Sequence, residues 1–345
     1  MNIDINTLLR ENIRNLKPYS SARDEFSGDA AVFLDANENP YNIPWNRYPD
    51  PHQRILKKKV SEIKNINVQN IFLGNGSDEP IDLLFRAFCE PGRDDVVSIN
   101  PTYGMYKVAA DTNDIRVNLV SISEDFNLDA DLVLSAVTPH SKIIFLCSPN
   151  NPTGNALNKD SILKIINTFK GIVVVDEAYI DFCPENSLLA DLDKYPNLVI
   201  LQTFSKAWGM AGLRLGMAFA SELVIDVLSR IKYPYNLNIL TQQKALELLG
   251  DEKSMRGWVE IILKERELLV EKFKTYPFVI KVYPSDSNFV LVQVYDPRGI
   301  YQYLVDEKII VRDRSSVALC EGCLRISIGS PEENAILTEA LDKLI

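Results

Sequence analysis

Six short apolar runs, unbroken by polar alternation, constrain the fold of this chain more than any other feature. They are Ile71-Phe-Leu73, Val96-Val-Ser-Ile99, Ile143-Ile-Phe-Leu-Cys147, Ile172-Val-Val-Val175, Val199-Ile-Leu201 and Leu215-Gly-Met-Ala-Phe219. A strand with one face in water alternates. A strand apolar on both sides needs cover on both sides, which is the situation inside a parallel sheet held between helices. Helical stretches separate the runs; between the first two, Ile81, Leu84, Phe85 and Phe88 share one helical stripe that stops at Pro91-Gly92. The expected fold class is α/β, with a large three-layer α/β/α domain around a mostly parallel sheet over residues 48–236.

The rest of the chain departs from that pattern. Residues 237–275 read as a connecting helical tract, interrupted near Gly250-Asp-Glu and Gly257, whose second half carries a stripe through Ile261, Ile262, Glu265, Leu268, Leu269 and Phe273. Apolar runs at 278–283, 288–294, 308–312 and 323–328, with helices near 299–307 and 331–344, read as a smaller α+β domain over residues 276–345. Two domains also suit the length, because single cores stop growing near about 250–300 residues and this chain has 345. Residues 1–47 read as an arm, a short amphipathic helix followed by turn formers, which cannot bury itself and is expected to lie across another domain or another subunit.

Charge and cysteine usage exclude several classes. Thirty-seven basic against 47 acidic side chains leave a net charge of −10, which works against non-specific nucleic acid binding. No apolar run approaches the length of a membrane span, and the opening residues, with Asp4 and Glu11, lack a secretory core. The five cysteines are odd in number and lie mostly inside apolar segments, a usage suited to buried thiols in a reducing cytoplasm. Cys320-Glu-Gly-Cys323 has the spacing of a redox or metal pair, but it has no second pair, and His52 and His140 are distant in sequence. No metal is expected.

The residues able to do chemistry cluster at the ends of the apolar runs. Gly74-Asn-Gly76-Ser77-Asp78-Glu79 leaves one run and opens a helix, so free backbone N–H groups and the positive helix end face whatever lies at the strand's carboxyl edge. This makes an anion site, although the same residues also read as an N-capped turn. It lacks the Lys-Ser/Thr of a Walker loop and the glycine spacing of a dinucleotide fingerprint. Lys206 follows the run at 199–201, with Thr203 and Ser205 as flanking hydroxyls and Arg214 eight residues on; in a sheet of this kind such loops are where ligands bind. An amine of ordinary basicity is a weak nucleophile at neutral pH, and forming an imine with a conjugated carbonyl compound removes that difficulty. Asp176 ends the run at 172–175, where a carboxylate is costly to desolvate without a cation beside it; capping of the next element is another reading, and a Walker B aspartate a further one that the missing Walker loop weakens. Asn151, in Ser148-Pro-Asn-Asn-Pro-Thr-Gly154, closes a further run as a turn whose amide can reach a phenolic oxygen, as can Tyr179. Tyr103 and Tyr106 offer a ring to stack on a flat ligand, or to fill the core.

Taken together these residues resemble a known family. Asn150-Asn-Pro-Thr-Gly154, Val175-Asp-Glu-Ala-Tyr179 and Ser205-Lys206 with Gly212-Leu-Arg214-Leu-Gly216 are similar to the motifs of fold type I pyridoxal phosphate aminotransferases. Asn15-Leu-Lys-Pro-Tyr19, Asn37-Glu-Asn-Pro40, Arg47-Tyr48-Pro-Asp50, Pro101-Thr-Tyr-Gly-Met-Tyr106, Val311-Arg312-Asp313 and Gly322-Cys-Leu-Arg325-Ile narrow the resemblance to the histidinol-phosphate aminotransferases, along essentially the whole chain.

The resemblance implies pyridoxal 5'-phosphate as cofactor and a homodimer with shared active sites. It implies that Lys206 carries the cofactor and moves the proton, that Asp176 pairs with the ring nitrogen, that Asn151 and Tyr179 bind the ring hydroxyl, and that Tyr103 stacks on the ring. Gly76, Ser77, Asp78, Thr203, Ser205 and Arg214 are implied around the cofactor phosphate, with Tyr48 reaching it from the neighbouring subunit. Arg325 is implied at the substrate carboxylate, Arg312 and Tyr19 at the substrate phosphate, and Asn37 in the part of the arm that closes over the site. The implied exchange is between L-histidinol phosphate and 2-oxoglutarate, with L-glutamate as a product. An aromatic or broad-specificity aminotransferase is the near alternative, and a decarboxylase of the same fold a further one. A non-catalytic regulator on this fold would want a nucleic acid-binding extension, and the first 47 residues hold no helix-turn-helix.

Overall fold

The computed structural model describes residues 3–17 and 32–345; Tyr19 lies outside them. Seven strands form the larger sheet: β1 (Ile71–Asn75), β2 (Asp95–Asn100), β3 (Arg116–Ser121), β4 (Ser141–Cys147), β5 (Ile172–Asp176), β6 (Leu198–Thr203) and β7 (Leu215–Ala220), in the order β1-β7-β6-β5-β4-β2-β3. Pairing is parallel from β3 through β6, and β7 runs antiparallel to both β6 and β1. Every residue of β5, β6 and β7 is buried, as two-sided helical cover requires.

The edge strand β3 is the element that the apolar pattern does not reveal. It is partly exposed along its length, so Arg116-Val-Asn-Leu-Val-Ser needs no unbroken apolar run and shows only weak alternation.

Two apolar clusters flank the sheet. One gathers Leu73, Ile144, Val175 and Ile200 with Phe204 and Trp208; the other gathers Phe72, Phe145 and Val174 with the helices Asp78–Phe88 and Glu222–Ile231. The second also takes in Ile5, Leu9 and Ile13, so the first part of the arm packs on the large sheet's own helices, not on the smaller domain. Arg10 fixes it there, its N–H bonded to the Ala87 carbonyl at 3.0 Å and its guanidinium to Glu90 at 3.2 Å.

The smaller sheet comprises β8 (Val279–Val282), β9 (Phe289–Val294), β10 (Arg312–Asp313) and β11 (Cys323–Ser327), antiparallel throughout in the order β10-β11-β9-β8. Its core joins Val290, Val292 and Leu324 to the helices Glu252–Lys274, Pro297–Asp306 and Pro331–Asp342.

Three expectations for this half need correction. The helix Glu252–Lys274 passes through Gly257 without a break; a single helical glycine costs only about 1 kcal/mol. Its buried face carries Met255, Leu269 and Phe273, whereas Ile261 and Leu268 are about half exposed. The run at 308–312 supplies only the two-residue β10, because Ile309 and Val311 pack into the small-domain core as an irregular segment.

Candidate active site

The parallel strands β2, β4, β5 and β6 end at one edge of the sheet, β1 ends there too, and antiparallel β7 begins there. Their loops line one cavity with Gly76, Ser77, Asp78, Tyr103, Asn151, Asp176, Tyr179, Thr203, Ser205, Lys206 and Arg214. Residues drawn from more than a hundred positions of sequence meet because each follows a strand end.

The anion cradle comes from the β1–β7 pairing. Gly74 faces Gly216 and Asn75 faces Leu215, and the ladder extends one step further as the Gly76 N–H bonds the Arg214 carbonyl at 2.7 Å. Gly76 has φ +73°, a conformation that costs glycine little. A Cβ on Gly216 would lie 2.2 Å from the Ser77 nitrogen, so the loop's close approach depends on a bare backbone there. The helix Asp78–Phe88 starts from this loop and directs its positive end at the cavity. Thr203 donates to the Ser205 hydroxyl at 3.0 Å and accepts from the Ser205 N–H at 3.1 Å. Asp78 is the shared acceptor of the cradle: Tyr103 O–H donates to it at 3.1 Å, and Arg214 Nη2 stands 3.5 Å away.

Asp176 lies at the cavity floor, 2% exposed. Burial pushes its carboxyl up to about 6, against the opposing pull of the Tyr106 hydroxyl and the Ala178 N–H, which donate to it at 2.7 and 3.1 Å. Tyr106 is therefore unavailable as a stacking ring. It is fully buried, lies flat on Phe145 at 4.9 Å, and spends its hydroxyl on Asp176. Tyr103, half-buried and edge-on to Tyr106, keeps a ring at the cavity wall.

Lys206 is half-buried, its Nζ 5.5 Å from the Tyr179 ring centre. Burial lowers its proton affinity most, Arg325 lowers it further, and Asp176 opposes both. The amine is thus easier to deprotonate than one on the surface. Asn151 donates its amide N–H to the Tyr179 hydroxyl at 3.0 Å, and its carbonyl accepts a short hydrogen bond from Arg325. Arg325 crosses from β11 with its guanidinium 5.2 Å over the Phe289 ring, so the smaller domain closes one side of the cavity.

Arg312 sits directly opposite Arg325 in the β10–β11 pairing but is exposed. Tyr48 and Asn37 are exposed and do not line this chain's cavity; Tyr48 stacks on Tyr235 at 4.4 Å. Sequence reasoning missed Arg314, adjacent to this cluster, and Glu79. The Glu79 carboxylate accepts from the Asn75 N–H, and its Oε1 and Oε2 accept from the Asn236 amide at 3.1 and 3.0 Å, bracing the cradle from behind. A glutamate in the first turn of a helix carries no signal that distinguishes bracing from solvation.

Comparison with known proteins shows the family to which the chain belongs. The family described as aminotransferase class I and II matches residues 31–341. A histidinol-phosphate aminotransferase of Bacteroides fragilis (strain YCH46) is 59% identical over 337 residues, covering 97% of this chain and 98% of that protein; one from Cytophaga hutchinsonii is 52% identical over 345 residues, covering 99% of each. In fold the chain is similar to the crystal structure of histidinol-phosphate aminotransferase from Sinorhizobium meliloti in complex with pyridoxal-5'-phosphate, with a TM-score of 0.80, 24% identity and coverage of 87% of this chain and 84% of that one. On the extent of the family match and on relatives that share more than half of their residues with it end to end, the chain belongs to the class I and II aminotransferases and, within them, to the histidinol-phosphate aminotransferases.

Proposed function

We propose that the protein uses pyridoxal 5'-phosphate to transfer an amino group between L-histidinol phosphate and 2-oxoglutarate, yielding imidazole acetol phosphate and L-glutamate, and that it works as a homodimer. The observation that carries this reading is the meeting of Lys206 and Asp176 in one cavity whose wall, Asn151, is bonded to Arg325 from the other domain.

The residues fit the cofactor. Asp176 is a buried carboxylate facing a cavity, with two neutral donors and, among the described residues, no hydrogen-bonded cation, which is the environment a protonated ring nitrogen would complete. The bare-backbone cradle, the Ser205 hydroxyl and Arg214 suit a phosphate dianion. When bound, the cofactor supplies a conjugated electron sink for the charge left by loss of an α-proton.

Asp176, aimed by the Tyr106 hydroxyl, would keep the cofactor's ring nitrogen protonated at the cavity floor. Asn151 and Tyr179, already hydrogen-bonded to each other, would hold the cofactor's ring hydroxyl, and Tyr103 at the cavity wall would stack on the ring. Lys206 Nζ, with its lowered proton affinity, would take the α-proton and deliver it to the cofactor carbon on the other side of the substrate nitrogen. Arg325 offers a planar fork to a carboxylate, while Arg312 supplies charge at the outer rim for the phosphate of one substrate. Packing of Phe289 and Tyr179 beside the site limits water.

The test is the absorption of the purified protein before and after histidinol phosphate. We expect a band from the lysine-bound cofactor that the substrate bleaches and 2-oxoglutarate restores. Lys206→Ala should lose both the band and nearly all turnover; a variant that keeps both refutes the assignment. Faster turnover of phenylalanine or tyrosine than of histidinol phosphate would favour a broad-specificity aminotransferase, and release of CO2 a decarboxylase.

A further inference from the structure

The β10–β11 hairpin carries one more cation than its assigned roles use. Arg312 faces Arg325 directly across the pairing. The ladder continues past it, with the Arg314 N–H bonded to the Cys323 carbonyl at 2.8 Å. Side chains two apart along a strand share a face, so Arg312 and Arg314 project to the same side as Arg325. That side faces the large domain, because Cys323 belongs to the core of the large sheet while Leu324 and Ile326 point into the small-domain core.

Three guanidinium groups on one face repel one another, and like charges placed opposite each other across a sheet destabilise it. No ion pair relieves them: no carboxylate among the described residues bridges to Arg312, Arg314 or Arg325. Asp313 turns away and accepts the Ser315 N–H at 2.8 Å. Two polar atoms here are buried without a hydrogen-bond partner, Arg314 Nε and Ser315 Oγ, and such atoms are seldom left unpaired in a folded protein. Burial, together with Arg325 and Arg312, holds the Arg314 guanidinium below its usual basicity, and the Tyr179 hydroxyl lies close enough to oppose that shift. The group therefore belongs to the electrostatic environment of the cavity.

We propose that Arg314 is a specificity-determining residue: with Arg312 and Arg325 it forms a three-arginine subsite that favours a phosphate monoester dianion over a carboxylate, with Ser315 as an accompanying donor. The proposal rests on the substrate reading above. The physical reason is charge: each added cation interacts twice as strongly with a dianion as with a monoanion at the same distance, and a guanidinium offers a phosphate two N–H groups at once. Unpaired donors and mutual repulsion are both relieved by one ligand.

Both half-reactions of the holoenzyme provide the test. In Arg314→Gln, the KM for histidinol phosphate should rise on the order of 10- to 100-fold with kcat little changed, while the KM for 2-oxoglutarate should rise several-fold less. Equal effects on the two substrates, or none, overturn the proposal. General damage to the fold would move both constants together, so the split is the diagnostic. Arg314→Lys, which keeps the charge and loses the fork, serves if the glutamine variant does not fold. Inorganic phosphate should inhibit it more weakly than the wild type, and equal inhibition overturns the proposal. Should the wild type turn over aromatic amino acids but not histidinol phosphate, the substrate reading itself falls, an outcome visible before any variant is made.

Discussion

Asp176 is a residue whose charge is set by its burial in the fold. Its carboxyl, ordinarily near 3.8, is raised to about 6 by burial. A raised value means that the folded protein binds this proton more strongly than the unfolded chain, so the stability it contributes is complete below about pH 4 and is lost as pH rises through 6. At most about 3 kcal/mol is involved. Cofactor-free Asp176→Asn should therefore match the wild type near pH 4 and exceed it in denaturant midpoint above pH 7; a gap independent of pH would exclude Asp176 as the titrating group. Tyr106 opposes the upward shift through its 2.7 Å hydrogen bond. Removing it in Tyr106→Phe should move the acidic limb of the pH–rate profile to higher pH and lower kcat by about tenfold, the loss of one hydrogen bond to a charged group. An unchanged profile would show that the hydroxyl does not tune the carboxylate. Sequence made Tyr106 visible as an aromatic near the site but not as a donor, since its partner lies seventy residues away.

Among the elements, the pairing of β1 with β7 decides where a phosphate can sit. The six buried runs were legible because two-sided burial removes polar residues from a strand, whereas β3 was not, because an edge strand tolerates them. Direction was illegible as well: nothing in Leu215-Gly-Met-Ala-Phe indicates that β7 runs antiparallel between β1 and β6. Only that direction brings Arg214 and Gly216 to the edge at which β1 ends. Gly216→Ala tests the consequence. Its Cβ would force the Ser77 backbone away, and overpacking of this kind costs about 1–3 kcal/mol. Cofactor affinity measured by equilibrium dialysis should fall on the order of 10- to 100-fold; affinity equal to wild type would mean that the loop relaxes without loss of the cradle.

For the whole molecule, the single chain leaves several large apolar side chains exposed around Tyr48 and Tyr235 in sequence. Leu34, Tyr41, Ile43, Trp45 and Ile55, with Tyr233 and Leu240, are between 49% and 90% exposed; where such residues adjoin they form association surfaces. Tyr48 stacks on Tyr235 and does not line its own chain's cavity. If a second copy supplies Tyr48 to each site, subunits of Lys206→Ala and Tyr48→Ala, each inactive or weak alone, should regain activity on mixing. Random pairing gives one intact site in every heterodimer, hence about a quarter of wild-type turnover. No gain on mixing, with heterodimers confirmed by mass, would show that each site is complete within one chain. The sequence by itself determined the layered α/β class and the residue types of the chemistry, because two-sided burial and strand-end loops leave local patterns that short stretches of chain carry. The tertiary structure alone decided that Tyr106 serves Asp176, that Arg325 reaches Asn151 across the domains, and that Arg314 joins the arginine face. These depend on strand order, direction and register, which arise from contacts between residues far apart in sequence and leave no mark on the residues nearby.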